Sequence, residues 1–481
     1  MSTGKRMKKE KNKSKGKSKI FFYIIAIVYV IITAIFCTSI FNLNLLPGKY
    51  LTIFSIVEAI ITILLLIGLI KKHKTLKLNI ICLVIIVVIS SAYIYANNYV
   101  NATIKFLNSM FKEAIETEEY YVIVHKDSEY NKISDLKDKE IAFFQIEEDV
   151  RQEVENKVNI TLTKKESLLE VGNALLDKTA ESMIVSLSQY NMLNEEIENF
   201  KDNTKIIYTA AHIIRQVDMG DSEYNVANKI FNIYISGIDT RGNISNVARS
   251  DANILATVNL DTHEILLTSI PRDYYVTLHS YGAKDKLTHS GIYGINETVQ
   301  TVEDLLGVDI NYYVRVNFTT VIKLVDELGG IDVYSDYSFS TKDGYYFRQG
   351  NNTLNGEKAL AFSRERNSFI EGDNQRVKNQ QKVISAILNK VTSSTTILTK
   401  YTNILDSLEG SFQTNMTQEE ISDVVKEQLD SMASWTIKSN SLTGSDAYNS
   451  TYSMGSQELY VMIPDTDSVE QATKKINELL K

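Results

Sequence analysis

Three long apolar stretches near the N-terminus constrain the fold of this chain more than any other sequence feature. Residues 20–41 carry no charge, residues 51–70 carry only Glu58, and residues 78–96 again carry none. A helix needs about 20 apolar residues to cross a bilayer. Buried core helices are the alternative, but three nearly uncharged stretches so close together favour membrane spans. We therefore predict three transmembrane helices within residues 20–96.

The charge distribution predicts the orientation of these helices. The whole chain has a net charge of −8, yet residues 1–19 carry nine Lys/Arg and one Glu, and the loop 71–77 carries four lysines. Positively charged segments stay in the cytoplasm. We therefore expect residues 1–19 to form a cytoplasmic tail and the chain after about residue 96 to lie outside the cell membrane. This topology argues against nucleic acid as a partner.

The extracellular part of the sequence divides into three segments. Residues 97–117 have apolar side chains at helical spacing and predict a helical stalk. Residues 118–216 predict a small accessory α/β domain, and in residues 225–481 predicted strands and helices alternate around one layered core. The predicted fold class is therefore α/β, preceded by three transmembrane helices.

A helix predicted over residues 374–391 changes from apolar to polar along one face. Asp373, Arg376 and Gln380 continue, toward the N-terminus, the stripe formed by Val383 and Ile387. Inward-facing polar groups need partners, since each unpaired group costs about 1–3 kcal/mol. Taken alone, this pattern favours a capped helix with an internal Asp–Arg bridge.

Three further arginines suggest a site for an anion. Arg364 and Arg366, if extended, point the same way, and Arg272 directly follows a predicted strand. Guanidinium groups side by side repel each other unless an anion lies between them, and their geometry matches phosphate oxygens. The alternative is a pair of surface salt bridges to Glu365 or Glu371.

Two aspartates lie near boundaries of predicted strands and form the acidic counterpart of these arginines. The two aspartates are Asp239 and Asp251, and Arg249 lies two positions before Asp251. Carboxylates beside arginines suit a site for Mg²⁺ and phosphate, because Mg²⁺ binds a few carboxylates together with phosphate oxygens. As isolated residues, both aspartates would be ordinary turn residues. The sequence has no P-loop, HExxH, GxSxG or GxGxxG motif.

These motifs resemble, in order, those of the LytR–CpsA–Psr family, and especially its capsule-type members with three membrane spans and an accessory domain. The matching segments are Arg249-Ser250-Asp251, Ser269-Ile270-Pro271-Arg272-Asp273, Lys286-Leu287-Thr288-His289, Leu328-Gly329-Gly330-Ile331, Leu354-Asn355-Gly356, Ala359-Leu360, Arg364-Glu365-Arg366, Gly372-Asp373-Asn374-Gln375-Arg376 and Gln380-Gln381. The segment 286–289 departs from the "KINHA" of many members, so its role is open.

The resemblance implies a mixed central sheet between helices, an apolar groove for a lipid, and a membrane-anchored extracellular phosphotransferase. The substrate implied is a glycopolymer on an undecaprenyl-pyrophosphate carrier, and the acceptor is peptidoglycan. Mg²⁺ would be held by Asp239 and Asp251. The pyrophosphate would be held by six residues: Arg249, Arg272, Arg364, Arg366, Arg376 and Gln380.

Three questions stay open at the level of the sequence. The general base could be Asp273 or Asp373, and either could instead orient an arginine. The same site with water as acceptor would make a polyprenyl-pyrophosphate phosphatase. A non-catalytic regulatory protein is the third alternative, although a tail of about 19 residues offers little for DNA contact.

Overall fold

The computed structural model describes residues 2–70, 77–110, 116–214, 225–238, 244, 246–393, 403–431 and 433–481. The helices are α1 Ser2–Leu43, α2 Gly48–Ile70, α3 Lys77–Met110, α4 Glu148–Lys157, α5 Leu168–Leu176, α6 Leu187–Glu196, α7 Leu287–Ser290, α8 Ile295–Leu306, α9 Phe318–Glu327, α10 Gly356–Arg364, α11 Asp373–Ser393, α12 Gln418–Ser431 and α13 Thr466–Leu479.

Nineteen strands are assigned within the described residues. They are β1 Glu116–His125, β2 Lys139–Phe143, β3 Ile160–Lys164, β4 Ser182–Ser186, β5 Thr204–Ile214, β6 Ile230–Ile238, β7 Ser250–Asn259, β8 Glu264–Ile270, β9 Tyr275–Thr277, β10 Lys284–Lys286, β11 Tyr312–Asn317, β12 Ile331–Ser335, β13 Phe339–Ser340, β14 Tyr346–Phe347, β15 Gly350–Leu354, β16 Phe412–Thr414, β17 Thr436–Ser441, β18 Gly444–Thr451 and β19 Gly455–Pro464.

The helices α1 to α3 form a first compact unit together with α12. Each of the three has a stretch long and apolar enough to cross a membrane, in agreement with the sequence. Glu58 on α2 is buried and accepts hydrogen bonds from the hydroxyls of Tyr93 on α3 and, at 3.0 Å, Thr62. This acidic residue therefore serves a helix–helix contact, because a buried carboxylate needs donors. Residues 71–76 of the predicted cytoplasmic loop lie outside the described residues.

The predicted stalk is only partly helical. The helix α3 continues through the third apolar stretch to Met110, while Glu116 and Thr117 already belong to β1. Residues 111–115 lie outside the described residues. The boundaries 118–216 and 225–481 stay predictions.

The small α/β domain is built on a five-stranded mixed sheet in the order β3-β2-β4-β1-β5. β2 runs parallel to β3 and β4, whereas β1 runs antiparallel to β4 and β5. β4 is buried along its whole length, and its last residue, Ser186, is also the N-cap of α6, which begins at Leu187. A buried strand followed by an N-terminal cap fixes where α6 begins.

A six-stranded mixed sheet, in the order β16-β11-β6-β7-β8-β17, forms the centre of the larger domain. The helices α8 and α13 pack on one face, where Val299 and Ile476 join the main core. On the other face, Ile384 of α11 packs against Ile254 and Leu267 of the sheet. The predicted α/β class with a central sheet between helices is confirmed.

The strand register places the candidate site at one edge of this sheet. β7 and β8 are antiparallel neighbours, with Asn253 opposite Ile270. The start of β7 and the end of β8 therefore meet, because antiparallel strands bring opposite ends together. Asp251, near the start of β7, thus lies beside Arg272, which follows β8.

Candidate functional site

A cleft of about 230 Å³ brings together most of the residues that the sequence singled out. Its polar lining consists of Glu195, Arg249, Asp251, Arg272, Ser363, Arg364, Arg366, Arg376, Asn317 and Gln380. Five arginines therefore converge on two carboxylates from four separate stretches of the chain. The predicted residue Asp273 is not part of this lining, and the side chain of Asp373 lies outside the described part of the structure.

Asp251 is the acidic centre of the cleft. Its carboxylate accepts a hydrogen bond at 2.8 Å from Nη1 of Arg272 and one at 3.1 Å from the hydroxyl of Thr288. Burial by itself would raise the pKa of Asp251, but the charges of Arg272, Arg249 and Arg376 outweigh it and lower the pKa below its ordinary value. Asp251 is therefore held as a carboxylate, which is the form a cation needs.

Asp273 contacts Arg272 outside the cleft lining and is 3% exposed. Its carboxylate is 3.3 Å from Nζ of Lys286 and 3.5 Å from Nε of Arg272. Burial would raise the pKa of Asp273, yet Arg272, Lys286 and Arg376 lower it. A paired carboxylate with a lowered pKa is a weak proton acceptor, so Asp273 is placed to orient Arg272.

The segment 286–289, whose role the sequence left open, supports both aspartates. Lys286 pairs with Asp273, and Thr288 donates to Asp251. His289 is buried, with Nδ1 at 2.7 Å from a carboxylate oxygen of Asp285. At the position where the common motif has Asn, this chain therefore has a hydroxyl that contacts Asp251.

Glu195 is a cleft residue that sequence reasoning missed. It lies at the end of α6 in the small domain, and its two carboxylate oxygens accept hydrogen bonds at 2.6 and 2.7 Å from the two terminal nitrogens of Arg249. Burial would raise the pKa of Glu195, and the hydrogen bonds and charge of Arg249 lower it. Glu195 is identified only by its contact with Arg249, which is distant in the sequence, since nothing near Glu195 in the sequence matches a motif.

Arg364 corrects one prediction. Arg364 is the last residue of α10 rather than part of a strand, although Glu365 after it is extended. Its guanidinium lies 4.4 Å from the centre of the Phe318 ring, while Glu371 pairs with Lys378 at 2.6 Å. Arg364 and Arg366 both line the cleft and are both exposed. Both arginines thus face the cleft, but not because side chains alternate along a strand.

The helix α11 contributes both polar and apolar parts of the cleft, as its sequence predicts. Arg376, Gln380, Val383, Ile384 and Ile387 all line it. Arg376 is 4% exposed, and the Gln380 amide donates to the backbone carbonyl of Asp251 at 3.5 Å. The side chain of Asp373, the first residue of α11, is outside the described part of the structure.

The remaining wall of the cleft is apolar. It is lined by Ile235, Ile238, Ala252, Val316, Phe318, Val321 and Leu360 together with the apolar residues of α11. An arginine-rich end and a hydrocarbon-lined end in one cleft match an amphiphile with an anionic head.

The fit of Mg²⁺ depends on the donors available. Asp251 supplies carboxylate oxygens, which Mg²⁺ prefers. Asp239 lies outside the described residues, and the described part of the chain contains no cluster of three or more His, Cys, Asp or Glu side chains suited to a metal. One carboxylate beside phosphate-binding arginines fits an ion that is shared with phosphate oxygens, rather than one held by protein ligands alone.

The sequence model of the LytR_cpsA_psr family matches residues 183–478, which is more than half of the chain. Together with the α/β fold and the arginine cleft, this match shows that the chain belongs to the LytR–CpsA–Psr family.

Named relatives agree with this assignment. The polyisoprenyl-teichoic acid–peptidoglycan teichoic acid transferase TagU of Bacillus anthracis (strain CDC 684 / NRRL 3495) is 36% identical over 212 residues, covering 43% of this chain and 69% of the relative. TagU of Bacillus subtilis (strain 168) is 37% identical over 225 residues, covering 46% of this chain and 72% of the relative. These names confirm the expectation of an enzyme of this transferase family.

Among solved structures, the crystal structure of B. subtilis TagV has 31% sequence identity and a TM-score of 0.44. The match covers 52% of this chain and 97% of that one.

Proposed function

We propose that this protein transfers a glycopolymer from an undecaprenyl-pyrophosphate carrier to peptidoglycan at the outer surface of the cell membrane. The observation that carries the proposal is the cleft in which Arg249, Arg272, Arg364, Arg366 and Arg376 meet an apolar wall. The arginines would hold the pyrophosphate, and the apolar wall would hold the start of the polyprenyl chain. Relatives of 36–37% identity are named teichoic acid transferases, so a teichoic acid is the first polymer to test, with capsule as the alternative.

The chemistry requires charge neutralisation more than a covalent intermediate. A hydroxyl oxygen of the acceptor forms a new bond to the phosphorus next to the polymer, the phosphoanhydride bond breaks, and undecaprenyl phosphate leaves while the hydroxyl proton is lost. Guanidinium groups fixed around the cleft stabilise the charge that develops on the phosphoryl oxygens. Because the donor carries the activated bond, the reaction needs no nucleotide.

The buried residues around the cleft position these arginines. Asp273, which pairs with Lys286, contacts Nε of Arg272 at 3.5 Å, and the hydroxyl of Thr288 donates to Asp251. A carboxylate whose pKa is lowered by its partners is a weak general base at neutral pH. We therefore assign Asp273 to the positioning of Arg272 and leave the acceptor proton to a group that enters with the substrate, or to Asp373.

Mg²⁺ is part of this proposal. Asp251, Asp239 and pyrophosphate oxygens would hold the ion, which when bound would neutralise charge on the pyrophosphate. The lowered pKa of Asp251 supports this role, because a metal ligand must be deprotonated.

The membrane topology completes the proposal. Three helices able to cross a bilayer, with basic residues 1–19 before the first, support an outer-surface location for the residues after about 96. A protease added to intact cells should therefore degrade the part after residue 96 and spare the loop 71–77. A protected C-terminal domain would contradict the topology.

The decisive assay supplies purified full-length protein with a lipid-linked polymer, peptidoglycan and Mg²⁺. Polymer covalently attached to peptidoglycan supports the transferase. Release of phosphorylated polymer without attachment favours the phosphatase, which uses the same arginines with water as acceptor. Neither product would leave a regulatory protein.

A further inference from the structure

A second cavity of about 240 Å³ lies between the small α/β domain and loops of the larger domain. Its walls come from β1, the segment after β2, the start of α6 and the end of β5 on one side. Tyr281, in the loop between β9 and β10, and Tyr293, in the turn between α7 and α8, close the other side. Neither the arginine cleft nor the proposed chemistry uses these residues.

One wall of this cavity is aromatic. The ring of Tyr281 packs 4.7 Å from the ring of Tyr293 and 4.9 Å from that of Tyr452, measured between centroids. Tyr281 is 43% exposed, although aromatic neighbours surround it. A partly exposed tyrosine held by two others presents a rigid amphipathic face to a ligand.

The opposite wall is polar and fixed. Glu118 is 7% exposed and lies 3.4 Å from the hydroxyl of Tyr120. The amide of Gln145 donates to the carbonyl of Tyr452 at 3.2 Å, and its oxygen accepts from the hydroxyl of Tyr293 at 3.5 Å. The polar groups are thus preorganised by bonds that tie the two walls together.

The helix α6 connects this cavity to the catalytic cleft. Gln189 near its start lines the cavity, and Glu195 near its end lines the cleft. Six residues of α-helix span about 9 Å. A ligand in the cavity would therefore lie within a few sugar-ring lengths of the arginines, so that one extended molecule could reach both.

We propose that this cavity binds a saccharide unit of the acceptor glycan and thereby presents its reacting hydroxyl to the cleft. An aromatic face beside carboxyl and amide groups suits a sugar ring, which has apolar C–H faces and a rim of hydroxyls. The site assignment rests on the proposed transfer function for its biological role, but binding itself is independent of catalysis.

The test measures binding of a tetramer of N-acetylglucosamine to the full-length protein in detergent, by titration calorimetry. Tyr281→Ala should weaken binding about tenfold, since the stacking face is lost, and Tyr281→Trp should retain it. Tyr346→Ala is the matched control, because Tyr346 is 65% exposed and lies outside the cavity lining. In the transfer assay, Tyr281→Ala should raise KM for peptidoglycan and leave KM for the lipid donor unchanged.

Each outcome has a defined meaning. No binding by the wild type, or equal binding by Tyr281→Ala and wild type, would overturn the saccharide site. Displacement of the probe by a simple diamine would overturn it too, since the polar wall would then be a site for cations. Saccharide binding without any transfer would contradict the proposed function alone.

Discussion

The replacement of Arg364 by lysine separates an anion-binding site from a structural salt bridge. The Arg364 guanidinium stacks on Phe318 at 4.4 Å and faces the cleft together with the exposed Arg366. Lysine keeps the charge but is a point donor, so it loses both the planar stack and the paired hydrogen bonds to two phosphate oxygens.

The two losses have different magnitudes. An exposed cation–π contact contributes about 0.5–1 kcal/mol, so the free energy of unfolding should fall by no more than that. A hydrogen bond to a charged group contributes about 1.5–3 kcal/mol. If Arg364 donates such a bond to the pyrophosphate in the transition state, kcat/KM should fall roughly 10- to 150-fold.

The assay compares turnover of the lipid donor and thermal unfolding for Arg364→Lys, Arg366→Lys and the control Arg151→Lys. Arg151 is a suitable control because it forms an exposed salt bridge with Glu155 within α4, and such pairs contribute about 0–1 kcal/mol. We expect lost turnover with near-normal stability at the two cleft positions and no change at the control. Full turnover in both cleft variants would refute the pyrophosphate site.

Three further predictions follow from charges in the described structure. Asp251→Asn should abolish Mg²⁺-dependent transfer and lower the free energy of unfolding by about 3 kcal/mol at neutral pH. Folding lowers the pKa of Asp251, so the ionised carboxylate stabilises the folded protein fully above its ordinary pKa of 3.8. This stabilisation is lost as the pH falls through the lower pKa of the folded state. Urea unfolding should therefore show that the wild type and Asp251→Asn converge in stability only in strong acid. Burial raises the pKa of Glu118 to about 8, against the hydrogen bonds of its neighbours. The wild type should therefore lose stability as the pH rises from about 4.5 to 8. Glu118→Gln should have a higher melting temperature than the wild type at pH 9 but not at pH 4. Equal pH profiles of the two proteins would contradict the buried carboxyl. Glu195→Gln should lower KM for the lipid donor about threefold, because a carboxylate that competes for Arg249 is removed, while Glu181→Gln, at an exposed pair with Lys139, should change nothing. A raised KM would show that Glu195 instead positions Arg249.

Sequence patterns predicted the parts of this protein that local physics determines. The three apolar helices follow from length and hydrophobicity alone. The polar continuation of the α11 stripe follows from helical spacing, and Arg376, Gln380 and Ile384 do share the cleft. A glycine that permits a left-handed residue also marks a helix end in the sequence: α8 ends at Leu306, and Gly307 after it has a φ of 63°.

The contributions of the tertiary structure were not predictable. Glu195 reaches Arg249 from a separate domain, and no periodicity within α6 marks it. Arg364 ends a helix, so the argument from strand alternation failed even though both arginines line the cleft. Lys286 and Thr288 gain their roles only when the fold brings Asp273, after β8, and Asp251, at the start of β7, beside them. Such pairings depend on long-range contacts, which local patterns do not contain.

The most direct test of the central claim is the relative affinity of the full-length protein for undecaprenyl pyrophosphate and for undecaprenol in the same detergent. Both lipids share the polyprenyl chain that the apolar wall would hold, and only one carries the anion that the arginines would bind. We predict that the pyrophosphate binds at least about 100-fold more tightly, and that Arg364→Lys and Arg366→Lys reduce this ratio. Equal affinity for the two lipids would show that the cleft binds only hydrocarbon and would contradict the assignment of its arginines.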